Sequence, residues 1–124
     1  MRNIIFRGKR LDNGEWMYGD LQIGGDDHIP MIGTVGPGRW VEYIQVAENT
    51  IGQYTGLKDR YGDRIWEGDL VEHGDEVSEV FFDTENSCFD FKSSNDPFAA
   101  QFSCDYEILG NIHDNPEFLE GGAK

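Results

Sequence analysis

Any chemistry in this chain would have to come from a short set of side chains. There are three histidines, His28, His73 and His113, and two cysteines, Cys88 and Cys104, all far apart in sequence. His73 with Asp75 and Glu76, or His113 with Asp114, places an imidazole beside carboxylates, the beginning of a divalent-cation site. No HxH, HExxH or repeated His/Cys spacing accompanies them, so they read as solvated loop histidines and no metal ligand is assigned. Asp59 and Asp63 flank Gly62, yet the run of acids and the distal Glu of a calcium loop are missing. Glycosidase-type acid–base chemistry needs two carboxylates roughly 5 to 9 Å apart in a cleft. Among 24 acids some pair always meets that condition, so it selects nothing. Ser87 and Ser103 each precede a cysteine without a G-x-S-x-G or a supporting Cys–His arrangement. Gly33, Gly36 and Gly38 lack the helix and the Lys-Ser/Thr that complete a phosphate loop. No catalytic, cofactor-binding or metal residue is assigned, no cofactor is expected, and a non-enzymatic protein is the reading. An enzyme of unfamiliar type is the alternative it leaves.

Charge says more about partners. The chain carries 24 acids against 10 bases, a formal charge of −14. Residues 1–70 hold 11 acids and 8 bases, whereas residues 71–124 hold 13 acids and 2 bases. A surface of that kind repels phosphate backbones and anionic lipid headgroups, so neither direct nucleic-acid binding nor membrane binding is expected. A basic partner, or a protein site that normally receives nucleic acid, would be attracted; solubility alone is the plainer explanation of the charge. The cysteines form no CxxC and read as buried free thiols in a reducing compartment. The N-terminal run Ile4-Ile5-Phe6 turns charged at Arg7, which is not a signal-peptide core, and no run of about 18 apolar residues exists. A cytoplasmic protein is expected.

The elements that would position these residues are short strands. At 124 residues the chain fits one domain over 1–124, with 119–124 as a flexible tail. Its 16 glycines punctuate aromatic and β-branched runs. Residues 3–10 and 15–23 read as a hairpin around Asp12-Asn13-Gly14, where Asn and Gly tolerate the positive φ that tight turns demand. A loop at Gly24–Asp27, an apolar run Ile29–Ile32, a Gly/Pro-rich connection Gly33–Gly38 and a strand Arg39–Val46 follow. In that strand Val41 and Tyr43 face one way, and Trp40, Ile44 and Val46 the other. Ala47–Thr50 reads as a turn or one helical turn. Ile51–Leu57 reads as a strand with glycines, Lys58–Asp63 as a turn, and Arg64–Val71 as strand, Gly-Asp turn and strand. Val77–Asp83 and Cys88–Lys92 make a second hairpin, with Phe89 and Phe91 on one face. Ser93–Pro97 is a polar, flexible loop, Ala99–Phe102 a weak strand and Asp105–Ile112 a stronger one. Asn115-Pro116-Glu117 carries a helix-start signal, with Phe118 and Leu119 to dock the helix. Trp16, Tyr54 and Trp66 are expected in the core and Tyr61 on the surface, where aromatics on one face of a small β-fold can bind peptides.

Three stretches carry a resemblance. The first is Phe6-Arg7-Gly8-Lys9-Arg10-Leu11-Asp12-Asn13-Gly14-Glu15-Trp16-Met17-Tyr18-Gly19. The second is Thr50-Ile51-Gly52-Gln53-Tyr54-Thr55-Gly56-Leu57-Lys58-Asp59, running into Ile65-Trp66-Glu67-Gly68-Asp69-Leu70-Val71. The third is Tyr106-Glu107-Ile108-Leu109-Gly110-Asn111-Ile112 with Asn115-Pro116-Glu117. Together they resemble the YopX family of small phage and prophage proteins over about half of the chain, while residues 22–46 and 73–104 show no matching motif. The chain departs from the family pattern at Glu48-Asn49, where Pro-Glu is common, at Tyr61-Gly62, where Asn-Gly is common, and at Trp66, where Tyr is usual.

The resemblance implies a mostly-β fold, a small SH3-like barrel or roll with additional hairpins and a short C-terminal helix. It brings no catalytic residues. Gly8, Asn13, Gly14, Trp16, Gly19, Gly52, Tyr54, Gly56, Gly68, Asp69, Gly110, Asn111 and Pro116 then read as fold-determining positions, mostly turns and close approaches. The function expected is that of a phage or prophage accessory protein that binds another protein. Its rival is an acidic decoy that mimics DNA and blocks a nucleic-acid-binding protein. Self-association is a further expectation, since exposed aromatics and sheet edges need covering.

Overall fold

The computed structural model describes residues 4–24, 28–35, 38, 41–92 and 98–118. Within them ten strands and two 3-10 segments are joined by tight corners. The chain divides into two units, Met1–Tyr54 and Thr55–Lys124.

In the first unit β1 (Phe6–Lys9) and β2 (Trp16–Ile23) pair antiparallel, Phe6 opposite Gly19 and Lys9 opposite Trp16. The loop between them is closed by the Arg10 N–H donating to the Glu15 carbonyl at 2.9 Å. Only Gly14 takes positive φ here, at 74°. Asn13 does not; it acts through its side chain, whose Oδ1 accepts the Glu15 N–H at 2.9 Å. β3 (Pro30–Val35) pairs with β2, and β4 (Val41–Gln45) with β3. On its other side β1 meets the start of β5 (Gly52–Lys58), Phe6 opposite Gln53. The 3-10 turn Glu48–Thr50 sits before β5, and its Thr50 hydroxyl donates to the Ala47 carbonyl while accepting the Lys9 N–H. Strand alternation sorts the faces. Ile32 and Val46 are wholly buried on one, over Gly8, where a Cβ would stand about 3.1 Å from Val46. Tyr18, Val41 and Tyr43 are exposed.

In the second unit the rest of β5 neighbours β6 (Arg64–Trp66). A second sheet has the order β10-β7-β8-β9, from β7 (Asp69–His73), β8 (Glu76–Asp83), β9 (Cys88–Phe91) and β10 (Glu107–Asn111). The core gathers Ile65, Val71, Val80, Phe91, Ala99, Ala100 and Tyr106, with Leu57 and Ile108 packed against it. Phe91 meets Tyr106 edge to face, 4.8 Å between ring centroids. Burying a side chain such as Ile65 or Phe91 contributes about 1.5–3 kcal/mol.

The protein is mostly β, built as two antiparallel sheets. Among the described residues no closed barrel forms: β4 and β6 end one sheet, β10 and β9 the other. Other expectations also change. The connection read at Gly33–Gly38 is strand as far as Val35, because the Tyr43 ring on the neighbouring strand lies over the bare Gly33 backbone. Ala99–Phe102 is not a strand but part of a 3-10 segment, Ala99–Asp105, kinked at Phe102. Its N–H groups bond locally, Gln101 to the Phe98 carbonyl and Tyr106 to that of Ser103. The Asn115 carbonyl accepts the Phe118 N–H at 3.1 Å, in keeping with a helix start, but its side chain does not cap forward. It turns back, and its Oδ1 accepts the Asn111 N–H at 3.3 Å. Glu117 and Phe118 are helical; Leu119 and the tail 119–124, like Arg39, Trp40 and Ser93–Pro97, lie outside the described residues. Both thiols are free but not buried, Cys88 being half-buried and Cys104 exposed.

Candidate functional site

Buried carboxylates are the first place to look for chemistry, because an unpaired charge in the interior is costly and is kept for a reason. Asp59, Asp69 and Asp90 are each at least 95% buried. All three serve the backbone. Asp59 Oδ1 accepts the N–H groups of Tyr61 and Asp63, both at 2.9 Å, and its Oδ2 accepts that of Ile108 at 3.3 Å. Asp69 Oδ2 accepts the Trp66 N–H at 2.7 Å, closing the β6–β7 corner. Asp90 Oδ1 accepts the N–H groups of Phe91 and Ala100, at 2.9 and 3.0 Å. These aspartates hold loops and hairpin corners in place. Among the described residues no three His, Cys, Asp or Glu side chains gather closely enough to hold a metal ion. His73 lies against the Tyr106 ring, 5.0 Å between centroids.

The second unit does contain a groove. A cavity of about 300 Å³ is lined by Leu57, Cys88, Phe89, Asp90, Phe98, Ala100 and Gln101. Strand β9 supplies one wall and the 3-10 segment the other. Asp90 joins them through its bond to Ala100, which engages its Oδ1 within the wall. What remains is an apolar surface with Gln101 as its polar handle. Phe98 in this lining is exposed, Phe82 stands edge-on to Phe89 at 5.1 Å, and the 3-10 segment carries a further exposed ring, Phe102. The volume is at the lower end of about 300–1,000 Å³ for small-molecule pockets, room for one or two side chains. Its lining includes the half-buried free thiol of Cys88 beside Asp90, and no histidine.

The first unit presents a different surface. Trp16 is half-buried, but under two cations rather than in the core. The Arg7 guanidinium lies 4.6 Å from its ring centroid and the Lys9 ammonium 5.4 Å. Both come from β1, with Lys9 directly across the ladder from Trp16. Tyr54 and Trp66 are buried and Tyr61 is exposed.

The positions read as fold-determining fall into three groups. Gly8, Asn13, Gly14, Trp16 and Gly19 belong to the β1–β2 hairpin, and Gly52, Tyr54 and Gly56 lie along β5. Gly68, Asp69, Gly110, Asn111 and Pro116 come together at one end of the β7–β10 pair. Asp69 is opposite Asn111, the Gly68 carbonyl accepts the Ile112 N–H at 2.9 Å, and Asn111 Oδ1 accepts the N–H groups of His113 and Asp114. A Cβ at Gly110 would collide with the Asn115 side chain, so the bare backbone makes room for it. Gly68 itself has φ of 92°. None of these positions lines the groove. Sequence reasoning missed the groove because its residues lie mostly in 73–104, where no motif was found. The four-residue spacing of Phe98 and Phe102 around Ala99-Ala100 was the one available signal of a helical turn there.

No helix among the described residues is long and apolar enough to cross a membrane. No curated protein matches the sequence. The fold is similar to the crystal structure of protein EF1440 from Enterococcus faecalis, with a TM-score of 0.61 at 24% identity, covering 96% of this chain and 99% of that one. The sequence matches the YopX protein family over residues 5–120, through both units and the groove. The chain therefore belongs to the YopX family.

Proposed function

We propose that this chain is a non-enzymatic protein-binding module, an accessory protein of a phage or prophage working in the bacterial cytosol. The observation that carries the reading is the groove between β9 and the 3-10 segment, whose lining is apolar apart from Gln101 and the engaged Asp90. Exposed Phe98 in its lining, Phe82 beside Phe89 and Phe102 on the 3-10 segment are the kind of aromatic anchors that dominate protein interfaces. An SH3-like roll in the second unit agrees with this reading. The order β10-β7-β8-β9, with a 3-10 segment between β9 and β10, supports that finer architecture. The test is capture from lysate of a lysogenic or infected host with the full chain as bait, beside the variants Phe98→Ser and Phe102→Ser. A partner retained by the parent and lost by both folded variants supports the reading; no enrichment over control at low and moderate salt defeats it.

The acidic half supports a second reading, a decoy that occupies a DNA-binding site. Its 13 acids against 2 bases over residues 71–124 are the motivating observation. A decoy should compete with duplex DNA for its target and weaken steeply as salt rises. Competition that ignores salt would remove it.

A further inference from the structure

We infer that the second unit takes an extended, basic segment of its partner as an added strand on the β9 edge, with one apolar side chain of that segment in the groove. The inference rests on the protein-binding reading above and specifies the partner's chemistry.

The edge comes first. β9 is the outer strand of its sheet, paired to β8 with Phe89 opposite Phe82 and Asp90 opposite Phe81. Lys92 donates its N–H to the Glu79 carbonyl at 2.9 Å. Hydrogen-bonded pairs alternate along an antiparallel ladder, so Lys92, Asp90 and Cys88 use their backbone groups toward β8. The backbone groups of Phe89 and Phe91 therefore point away from it. The Phe91 N–H is already taken by Asp90 Oδ1 at 2.9 Å. Among the described residues, no bond takes the Phe89 N–H and carbonyl, the pair that an incoming strand uses to dock. The groove lies along this same stretch, since Cys88, Phe89 and Asp90 line it. Strand addition gains affinity from main-chain bonds and selectivity from a pocket for alternate side chains, and both elements are present here.

Charge then selects the partner. Residues 55–124 hold 17 acids and 5 bases. The corner at one end of β9 carries Asp83 and Glu85, and Asp105 ends the 3-10 segment opposite. Lys92, the base at the other end, is held by Glu79 at 3.5 Å and lies over the Phe81 ring at 5.5 Å. An acidic segment is repelled and one with lysine or arginine is drawn in. A second copy, itself at −14, is disfavoured by the same field.

The experiment uses the isotope-labelled full chain and three synthetic heptapeptides, alternating lysine–leucine, glutamate–leucine and lysine–serine. The lysine–leucine peptide should shift the amides of Phe89, Ala100 and Gln101, leave Trp16 unmoved, and weaken roughly tenfold between low and high salt as exposed charges are screened. The other two should bind at least tenfold more weakly. Phe89→Pro removes the outward N–H without removing a bond to β8, and also deletes the ring beside Phe82; it should abolish binding in a chain that still gives a folded spectrum, whereas Phe89→Ala, which keeps the N–H, should only weaken it. Gln101→Lys, which leaves the strand intact, should weaken the lysine–leucine peptide and favour the glutamate–leucine one. Equal binding of all three peptides, shifts confined to other residues, or the same shifts produced by raising protein concentration alone would overturn the inference, the last by assigning the edge to a second copy. A captured host partner lost by Phe98→Ser and Phe102→Ser, but bound without salt dependence and despite Phe89→Pro, would overturn it while leaving the protein-binding reading intact.

Discussion

The carboxylate of Asp90 accepts the backbone N–H of Ala100 at 3.0 Å, so the last strand of one sheet and the 3-10 segment share a single hydrogen bond inside the wall of the groove. Asp90 is 4% exposed and also accepts the Phe91 N–H. Asp90→Ala strands two buried donors, each costing about 1–3 kcal/mol unless the segment moves. We expect a loss of about 2 kcal/mol or more in urea unfolding and a selective loss of exchange protection at Ala100. Asp90→Asn, which keeps one acceptor oxygen, should lose less. Equal stability of the alanine variant and the parent would show that the bond does not hold the segment.

Gly68 should tolerate replacement worse than Gly14, though both have positive φ. At Gly68, φ is 92°, the N–H donates to Val80 and the carbonyl accepts from Ile112, so the backbone is fixed on both sides. Gly68→Val should cost about 1–3 kcal/mol. Gly14, with φ of 74° and open space around it, should cost about 1 kcal/mol on replacement by alanine. Thermal melts of both variants check the order; a Gly68→Val protein melting with the parent contradicts it.

Ser87 offers the opposite change. It holds φ of 54° in the corner between β8 and β9, where the equivalent corner between β1 and β2 has Gly14. Ser87→Gly removes the left-handed strain and should stabilise the protein by about 0.5–1 kcal/mol after the entropy that glycine adds to the unfolded chain. A lower midpoint in urea would refute this.

Acid should loosen the same corner. Asp83 titrates below its ordinary value of 3.8, first because the Asn86 side-chain amide donates to it and then through the backbone N–H groups of Asn86 and Glu85. A depressed folded-state value means the contribution is fully present above that ordinary value and lost as pH falls through the lower, folded one. The amides of Glu85 and Asn86 should shift together below about pH 4. In Asp83→Asn that response should disappear; its persistence would assign it to another group.

Much of the architecture was legible in the residues because the strand signals are local. The Asn13-Gly14 corner, the Gly68-Asp69 corner and the alternation of β4 all rest on neighbours in sequence. What escaped depended on partners far away. Gly33 looked like a loop residue because nothing nearby shows that Tyr43 would cover it. Ala99–Phe102 looked extended because the acceptor for Ala100 sits ten residues earlier on Asp90. Trp16 looked like core because its covering cations, Arg7 and Lys9, are polar in any sequence pattern. The groove escaped for the same reason: its lining comes from β5, β9 and the 3-10 segment, and only folding brings them together.

The Tyr43 ring resting on Gly33 has a consequence for inheritance. Any side chain at position 33 evicts the ring, and a small residue at position 43 uncovers bare main chain. Mutational drift should therefore move the two sites as a couple, and homologous chains bearing a larger residue at one should carry a compensating change at the other.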